Sequence, residues 1–224
     1  MQIKFHIYLT HMLISSIAGA IFIPRIIEIV RQKIVAYAQR ECVNQDGTEQ
    51  DSNTPRHLYL LDQPKISEKQ IITFFTKNNP NLDRNYIERI AKLYCMESKQ
   101  ESVNTAVTVA QMALETGFLQ FNGSAKKSQN NFAGMGCVCE NHQGNSFATI
   151  EEGVRAHIQH FKAYASPAPL HTSCVDSRYK FVQKSKFFGK LKTVYDFVGV
   201  WAMDEDYGKK LAKLTQDLLS TPNF

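Results

Sequence analysis

The 224-residue chain has little glycine, no cysteine pair at metal spacing, no basic stripe and no internal repeat. Each absence narrows what it can be. Eleven glycines against 43% apolar residues, with 14 Phe and 9 Tyr, is the composition of a packed core and not of a disordered chain. The five cysteines are Cys42, Cys95, Cys137, Cys139 and Cys174, and Cys137-x-Cys139 is one residue too tight for a C-x-x-C hook. No Cys/His pair at zinc spacing follows it, so no metal site is expected. Outside the cytosol an odd count leaves at least one thiol free unless chains pair, and a bridge from Cys137 or Cys139 to Cys174 stays open. The formal charge of +5 is spread out, and Lys126-Lys127 reads as a solvated loop, so no nucleic-acid partner is expected. The missing repeat leaves about one ordinary domain after the N-terminal segment.

Continuous apolar sequence is also short. Met1 to Lys4 is a small basic start, Ile7 to Pro24 is apolar, and Arg25 closes the run. A membrane span wants roughly 20 apolar residues. The run falls near that limit, and Ala18-Gly19-Ala20 supplies the small-x-small pattern of a cleavage site. Residues 1–32 therefore read as a signal peptide or a membrane anchor, an N-terminal apolar helix in either case, against the alternative of a buried amphipathic helix. Export to the periplasm or cell envelope follows, with membrane contact if the segment is retained. Residues 33–57 form a polar linker, since 41–57 hold almost no large apolar group. The folded domain is expected over 58–224.

Within it the signals are helical. Ser67, Glu68 and Gln70 predict a capped helix to Lys77, stopped at Asn78-Asn79-Pro80. Leu82 to Met96 sets Tyr86, Ile90, Leu93 and Tyr94 on one face. Asn104 is an N-cap for a helix to Thr116, with Gly117 just past its end. Further helices are expected over Glu151 to Tyr164 and Tyr207 to Leu219. No region is rich in strand signals, and Phe132 to Phe147 is the one place for a small hairpin. The expected class is mainly α (α+β), with at most that small β-hairpin lobe.

One helix carries a candidate for chemistry. In Ala110-Gln-Met-Ala-Leu-Glu115-Thr-Gly-Phe a carboxylate ends an apolar helix, one turn after Gln111 and just before Phe118 and Phe121. Apolar surroundings and the negative end of the helix dipole both disfavour the anion. A carboxyl held protonated near neutral pH can protonate a glycosidic oxygen. Taken alone, the helix fits an ordinary solvent-capped glutamate as well.

The wider pattern adds to it. Gln111-x-x-x-Glu115-Thr-Gly-Phe is followed by Gln129-Asn-Asn-Phe-Ala-Gly-Met-Gly136 and Gly144-Asn-Ser-Phe147. Then come Gly153-Val-Arg-Ala-His-Ile-Gln-His160, Ala163-Tyr-Ala165, Cys174-Val-Asp-Ser-Arg-Tyr179 and Trp201-Ala-Met-Asp204-x-x-Tyr207-Gly208. In order and spacing this series resembles the glucosaminidases of glycoside hydrolase family 73, autolysin-type domains of the lysozyme superfamily, over about residues 66 to 220. The resemblance implies a lysozyme-like helical domain with a cleft. It implies an endo-β-N-acetylglucosaminidase that hydrolyses the β-1,4 bond between N-acetylglucosamine and N-acetylmuramic acid in peptidoglycan. It matches Glu115 to the catalytic acid, Asn131 and Phe132 to a block lining the sugar cleft, and Tyr207 and Trp201 to a block near the reaction centre. Gln111, Asn131, Phe132, Trp201 and Tyr207 are accordingly the expected substrate-binding residues. Aromatic faces suit sugar C–H groups, but for Phe132 and Trp201 plain core packing is the competing reading. A mild positive charge suits an anionic wall polymer. The expected partner is the peptidoglycan glycan strand, met by a monomer without cofactor.

The chain also departs from the pattern. Many members have a longer hairpin after the Asn-Phe block, with a second acidic residue. Here Cys137 to Gly144 fills the place, and Glu140 is its one carboxylate. Glu140 is the candidate second catalytic group, and the substrate's own 2-acetamido group is the alternative. Asp176 and Asp204 are held in reserve, each reading as a turn or helix-start residue. Lys184 to Phe188 replaces an expected small-residue turn. His157 and His160 share one helix without a third ligand, and His157 reads as a structural hydrogen-bonding group. Two other functions compete: a lytic transglycosylase or muramidase of the same superfamily, and a non-catalytic wall-binding module.

Overall fold

The computed structural model of the chain describes residues 54–123, 126–136 and 144–223. The signal or anchor expected over 1–32, nearly all of the linker, Cys42, and the 137–143 segment with Cys137, Cys139 and Glu140 lie outside the described residues. What is described is mainly helical, as the patterning implied, with the architecture of a lysozyme-like helical domain. Six α-helices run in chain order: α1 Glu68–Asn78, α2 Arg84–Glu101, α3 Thr105–Thr116, α4 Ile150–Ala165, α5 Tyr179–Gln183 and α6 Tyr207–Leu219. Short 3-10 turns at Arg56–Leu58, Lys127–Gln129 and Val194–Phe197 link them. Among the described residues the only β pairing is two isolated bridges, Tyr59 with Thr193 and Val198 with Ala202.

The helices start where their caps say. Ser67 Oγ accepts from Gln70 N at 3.1 Å while Gln70 Oε1 accepts from Ser67 N at 3.1 Å, a reciprocal capping box that satisfies two otherwise orphaned donors. Asp83 caps α2 through Tyr86 N at 2.7 Å, and Thr149 caps α4 through Glu152 N at 3.1 Å. Asn104 works in both directions. Its Oδ1 accepts from Ala106 N and Val107 N, and its Nδ2 donates to the carbonyls of His57 and Tyr59. One buried side chain thus starts α3 and fastens the segment at the domain's beginning to it.

Helix α3 is apolar almost all round, and a helix of that kind must be enclosed. Residues from Thr105 to Ala113 are all buried, with α6 and α2 packed against it. Helix α2 in turn packs on α1 and α4. The core includes Phe75, Tyr94, Met112, Phe132, Ile158, Phe161 and Phe197, all of them fully enclosed. Each such side chain contributes about 1.5–3 kcal/mol through burial.

Polar groups that enter this core come in pairs. Glu97 of α2 is fully buried and takes a bidentate grip from Arg155 of α4, at 2.8 Å and 3.2 Å. Glu101 takes Lys162 Nζ at 2.7 Å, the backbone N–H groups of His171 and Thr172, and the Thr172 hydroxyl. Lys162 also donates to Pro169 O at 2.8 Å. This cluster holds the loop after α4 onto α2. Gly153 permits the last close approach: a Cβ there would stand 1.9 Å from Asn130 O, so α4 meets the 130–136 loop only because no side chain intervenes.

Candidate active site

Glu115 sits in the last turn of α3, one residue before the helix ends, and is half-buried. The chain then turns left-handed. Gly117 caps the helix at φ +56°, and Phe118 and Leu119 follow at +56° and +63°. Non-glycine residues rarely adopt this region, and they hold it only where surrounding structure fixes them. Here Phe118 packs on Phe74 and Phe75, Asn79 Nδ2 donates to Phe118 O at 3.1 Å, and Leu119 N donates to Thr116 Oγ1 at 2.9 Å. The strained turn anchors the helix end that carries the carboxyl. No residue pattern announces two successive left-handed residues at Phe118 and Leu119, and the sequence reading missed them.

Two residues from the region around α6 reach the carboxyl. Tyr207, the first residue of α6, donates its hydroxyl to Glu115 Oε1 at 2.6 Å. The Trp201 indole, whose N–H is its one donor, also lies on the side that favours the Glu115 anion. Burial pushes the Glu115 carboxyl above the ordinary glutamate range, and the Tyr207 bond and the Trp201 indole offset part of that rise. Burial pushes the Tyr207 hydroxyl well up, helped by the neighbouring Glu115, so it stays a protonated donor.

On the other oxygen lies the 130–136 loop. Asn131 is buried and organises it: Oδ1 accepts from Met135 N at 3.0 Å, and Nδ2 donates to Met135 O and Asn145 O. The loop so formed holds Gly134 at φ +60°, where a Cβ would stand 3.1 Å from Glu115 Oε2. Glycine therefore leaves room beside that oxygen that a side chain would take.

The structure brings Glu115, Gln111, Trp201 and Tyr207 together, although they come from separate parts of the chain. Gln111 and Phe132, expected at the sugar face, have no exposed surface. Gln111 is enclosed between His157 and Tyr207, and Phe132 lies in the core against Tyr94 and Phe121. Asn131 is likewise fully enclosed and acts on its own loop. Trp201 is half-buried, ringed by His157, His160, Tyr164 and Phe197 with centroids 5.2 to 6.0 Å away.

The reserve carboxylates have local tasks. Asp176 is buried, accepts from Arg178 N at 2.8 Å, and lies 2.7 Å from His160 Nδ1. Asp204 accepts from Asp206 N at 3.0 Å and pairs with Lys210. His157 makes hydrogen bonds at both ring nitrogens, as its structural reading implied. Among the described residues no group of three or more His, Cys, Asp or Glu side chains is arranged to hold a metal ion. Cys95 and Cys174 are free thiols.

Comparison with known proteins bears on the family of the chain. The Glucosaminidase family model, described as mannosyl-glycoprotein endo-beta-N-acetylglucosaminidase, matches residues 91–219, more than half of the chain. The match takes in Gln111, Glu115, Asn131, Phe132, Trp201 and Tyr207. A protein of Borreliella burgdorferi strain B31, described as uncharacterized, is 42% identical over 165 residues, which is 74% of this chain and 79% of that protein. No solved structure matches the chain. A family match over this length places the chain in the Glucosaminidase family, glycoside hydrolase family 73, and makes it a glycoside hydrolase of the peptidoglycan-cleaving kind.

Proposed function

We propose that this protein is an endo-β-N-acetylglucosaminidase that hydrolyses the β-1,4 bond between N-acetylglucosamine and N-acetylmuramic acid, with Glu115 as general acid. The observation that carries the proposal is the Glu115 carboxyl itself. It is raised by burial, held on Oε1 by Tyr207, and bordered on Oε2 by a glycine. Glu115 donates its proton to the glycosidic oxygen, the O4 of muramic acid leaves as an alcohol, and positive charge grows at C1 of N-acetylglucosamine. The resulting Glu115 carboxylate is stabilised by the Tyr207 and Trp201 donors; water then adds to C1, and its proton passes to Glu140 if that group is the base, or back to Glu115 if the acetamido group has assisted.

Gln111, Asn131 and Phe132 serve substrate from behind the surface. Gln111 steadies Tyr207, Asn131 shapes the Gly134 loop, and Phe132 backs that loop. Trp201 and Tyr207 stand next to the reacting sugar. The second group is Glu140 or the substrate's 2-acetamido oxygen. The partner is the glycan strand of peptidoglycan, met by a monomer in the periplasm or cell envelope after export by residues 1–32.

Digestion of purified peptidoglycan, followed by mass spectrometry of the released muropeptides, tests the bond assignment. Reducing N-acetylglucosamine ends are expected. Anhydro- or reducing muramic acid ends would make the protein a lytic transglycosylase or muramidase. Absence of any released fragment would make it a wall-binding module.

A further inference from the structure

Glu115 Oε1 is the end of a buried hydrogen-bond chain. Tyr94 Oη lies 2.8 Å from His157 Nδ1, and His157 Nε2 lies 3.0 Å from Gln111 Oε1. Gln111 Nε2 donates to Tyr207 Oη at 3.0 Å, and Tyr207 Oη donates to Glu115 Oε1 at 2.6 Å. Tyr94, His157 and Gln111 are fully enclosed, and Tyr207 is nearly so. The chain crosses α2, α4, α3 and α6 in that order.

The chain has one direction. A neutral imidazole carries a single N–H. The Gln111 carbonyl faces Nε2, so the N–H is there, Nδ1 accepts, and the Tyr94 hydroxyl donates. The Gln111 amide spends an N–H on the Tyr207 oxygen, which leaves the Tyr207 proton pointing to Glu115. Were the direction reversed, Tyr207 would donate to Gln111, and Glu115 would have to present its own proton to Tyr207.

Resting on the reading of Glu115 as the acid, we propose that His157 is a positioning residue. Through Gln111 it fixes the Tyr207 hydroxyl as a donor to Oε1, and so assigns the transferable proton to Oε2, the oxygen beside Gly134.

The surroundings keep this direction constant across the working pH. His157 is faced by Tyr94 from α2, Gln111 from α3, Trp201 from the turn before α6, and His160 from its own helix. Burial, with His160 nearby, lowers the His157 imidazole to about 3, so it remains neutral. Glu115 is faced by Tyr207 and Trp201. A fully paired network in a low-dielectric interior is rigid, which is what proton placement requires.

The test is the 13C-carboxyl titration of Glu115 in the folded protein, identified by its loss in Glu115→Gln, alongside kcat and KM on peptidoglycan. Gln111→Met and His157→Phe both break the chain with side chains of related shape. Each is expected to move the Glu115 titration upward, because the anion loses its fixed donor. Each is also expected to lower kcat about tenfold with KM nearly unchanged. Combined with Tyr207→Phe, neither should move the titration further, since the same link is already broken. If these variants do not fold, Tyr94→Phe removes a single hydroxyl at the far end and should move the titration in the same direction. A Glu115 titration unchanged in the folded variants, or shifts that add to those of Tyr207→Phe, would overturn the proposal. A fully active Glu115→Gln would instead overturn the reading of Glu115 as the acid, and the titration result would stand separately.

Discussion

The Tyr207 hydroxyl donates to Glu115 Oε1 across 2.6 Å, joining two residues 92 positions apart at the ends of packed helices. Its donor is buried and held far above its ordinary pKa, so the bond persists whether or not the carboxyl is ionised. Tyr207→Phe keeps the ring in place and removes only this donor. On the proposed mechanism it weakens the stabilisation of the carboxylate left after proton transfer. A fall in kcat of about 10- to 100-fold is expected, with KM little changed. Steady-state kinetics on solubilised peptidoglycan checks it.

Gly134→Ala tests the open side of the carboxyl. The backbone there is at φ +60°, and the new methyl would stand 3.1 Å from Glu115 Oε2. Placing a non-glycine residue in the left-handed region costs about 1 kcal/mol. The methyl also occupies the space through which a glycosidic oxygen would approach. Activity should fall by more than the stability loss accounts for, measured as lysis rate beside thermal melting.

Lys162→Met tests the buried pair with Glu101. Both charged groups are almost fully enclosed. Removing the cation leaves a carboxylate with backbone and hydroxyl donors but no opposite charge in the same enclosure. A loss of about 3–5 kcal/mol is expected from urea unfolding. Glu101→Gln added to Lys162→Met should restore part of it, since the uncompensated charge is then gone.

The pH dependence of folding has a defined sign. The His157 pKa is depressed on folding, to about 3, so below the unfolded value of about 6.5 the unfolded chain takes up a proton that the folded one refuses. Burial would raise Glu101, yet bonds from Lys162, His171 and Thr172 hold it below its ordinary value, which acts in the same direction at lower pH. Stability should therefore decline as pH falls from about 6.5, by roughly 1.4 kcal/mol per unit where His157 alone governs. Urea unfolding of the protein and of His157→Phe between pH 7 and 5 separates the two, and the variant should show the shallower decline.

What the residues revealed on their own was local. Ser67, Asn104 and Gly117 set helix limits through bonds to neighbours a few positions away, and such signals survive in sequence. Five of the six helices among the described residues are legible on that basis. The five-residue helix α5 carries no side-chain cap and passed unnoticed. Burial at α3 was harder to judge. Gln111 lies on the face of Glu115, as the helical repeat requires, yet its partners His157 and Tyr207 are 46 and 96 positions distant. Nothing local distinguishes a glutamine that meets solvent from one enclosed by α4 and α6. Phe132 went into the core for the same reason, because Tyr94 and Phe121 close over it only once the chain has folded.

The most direct measurement is the lytic activity of folded Glu115→Gln. The substitution keeps the shape and can still accept from Tyr207, but it has no acid proton. Burial raises the Glu115 pKa, so the native carboxyl contributes stability at low pH that is lost as pH rises through its folded value. The variant should therefore melt at an equal or higher temperature at pH 7. Its rate on peptidoglycan should fall by about 10²–10⁴-fold. A folded Glu115→Gln protein that clears peptidoglycan at the native rate would contradict the account.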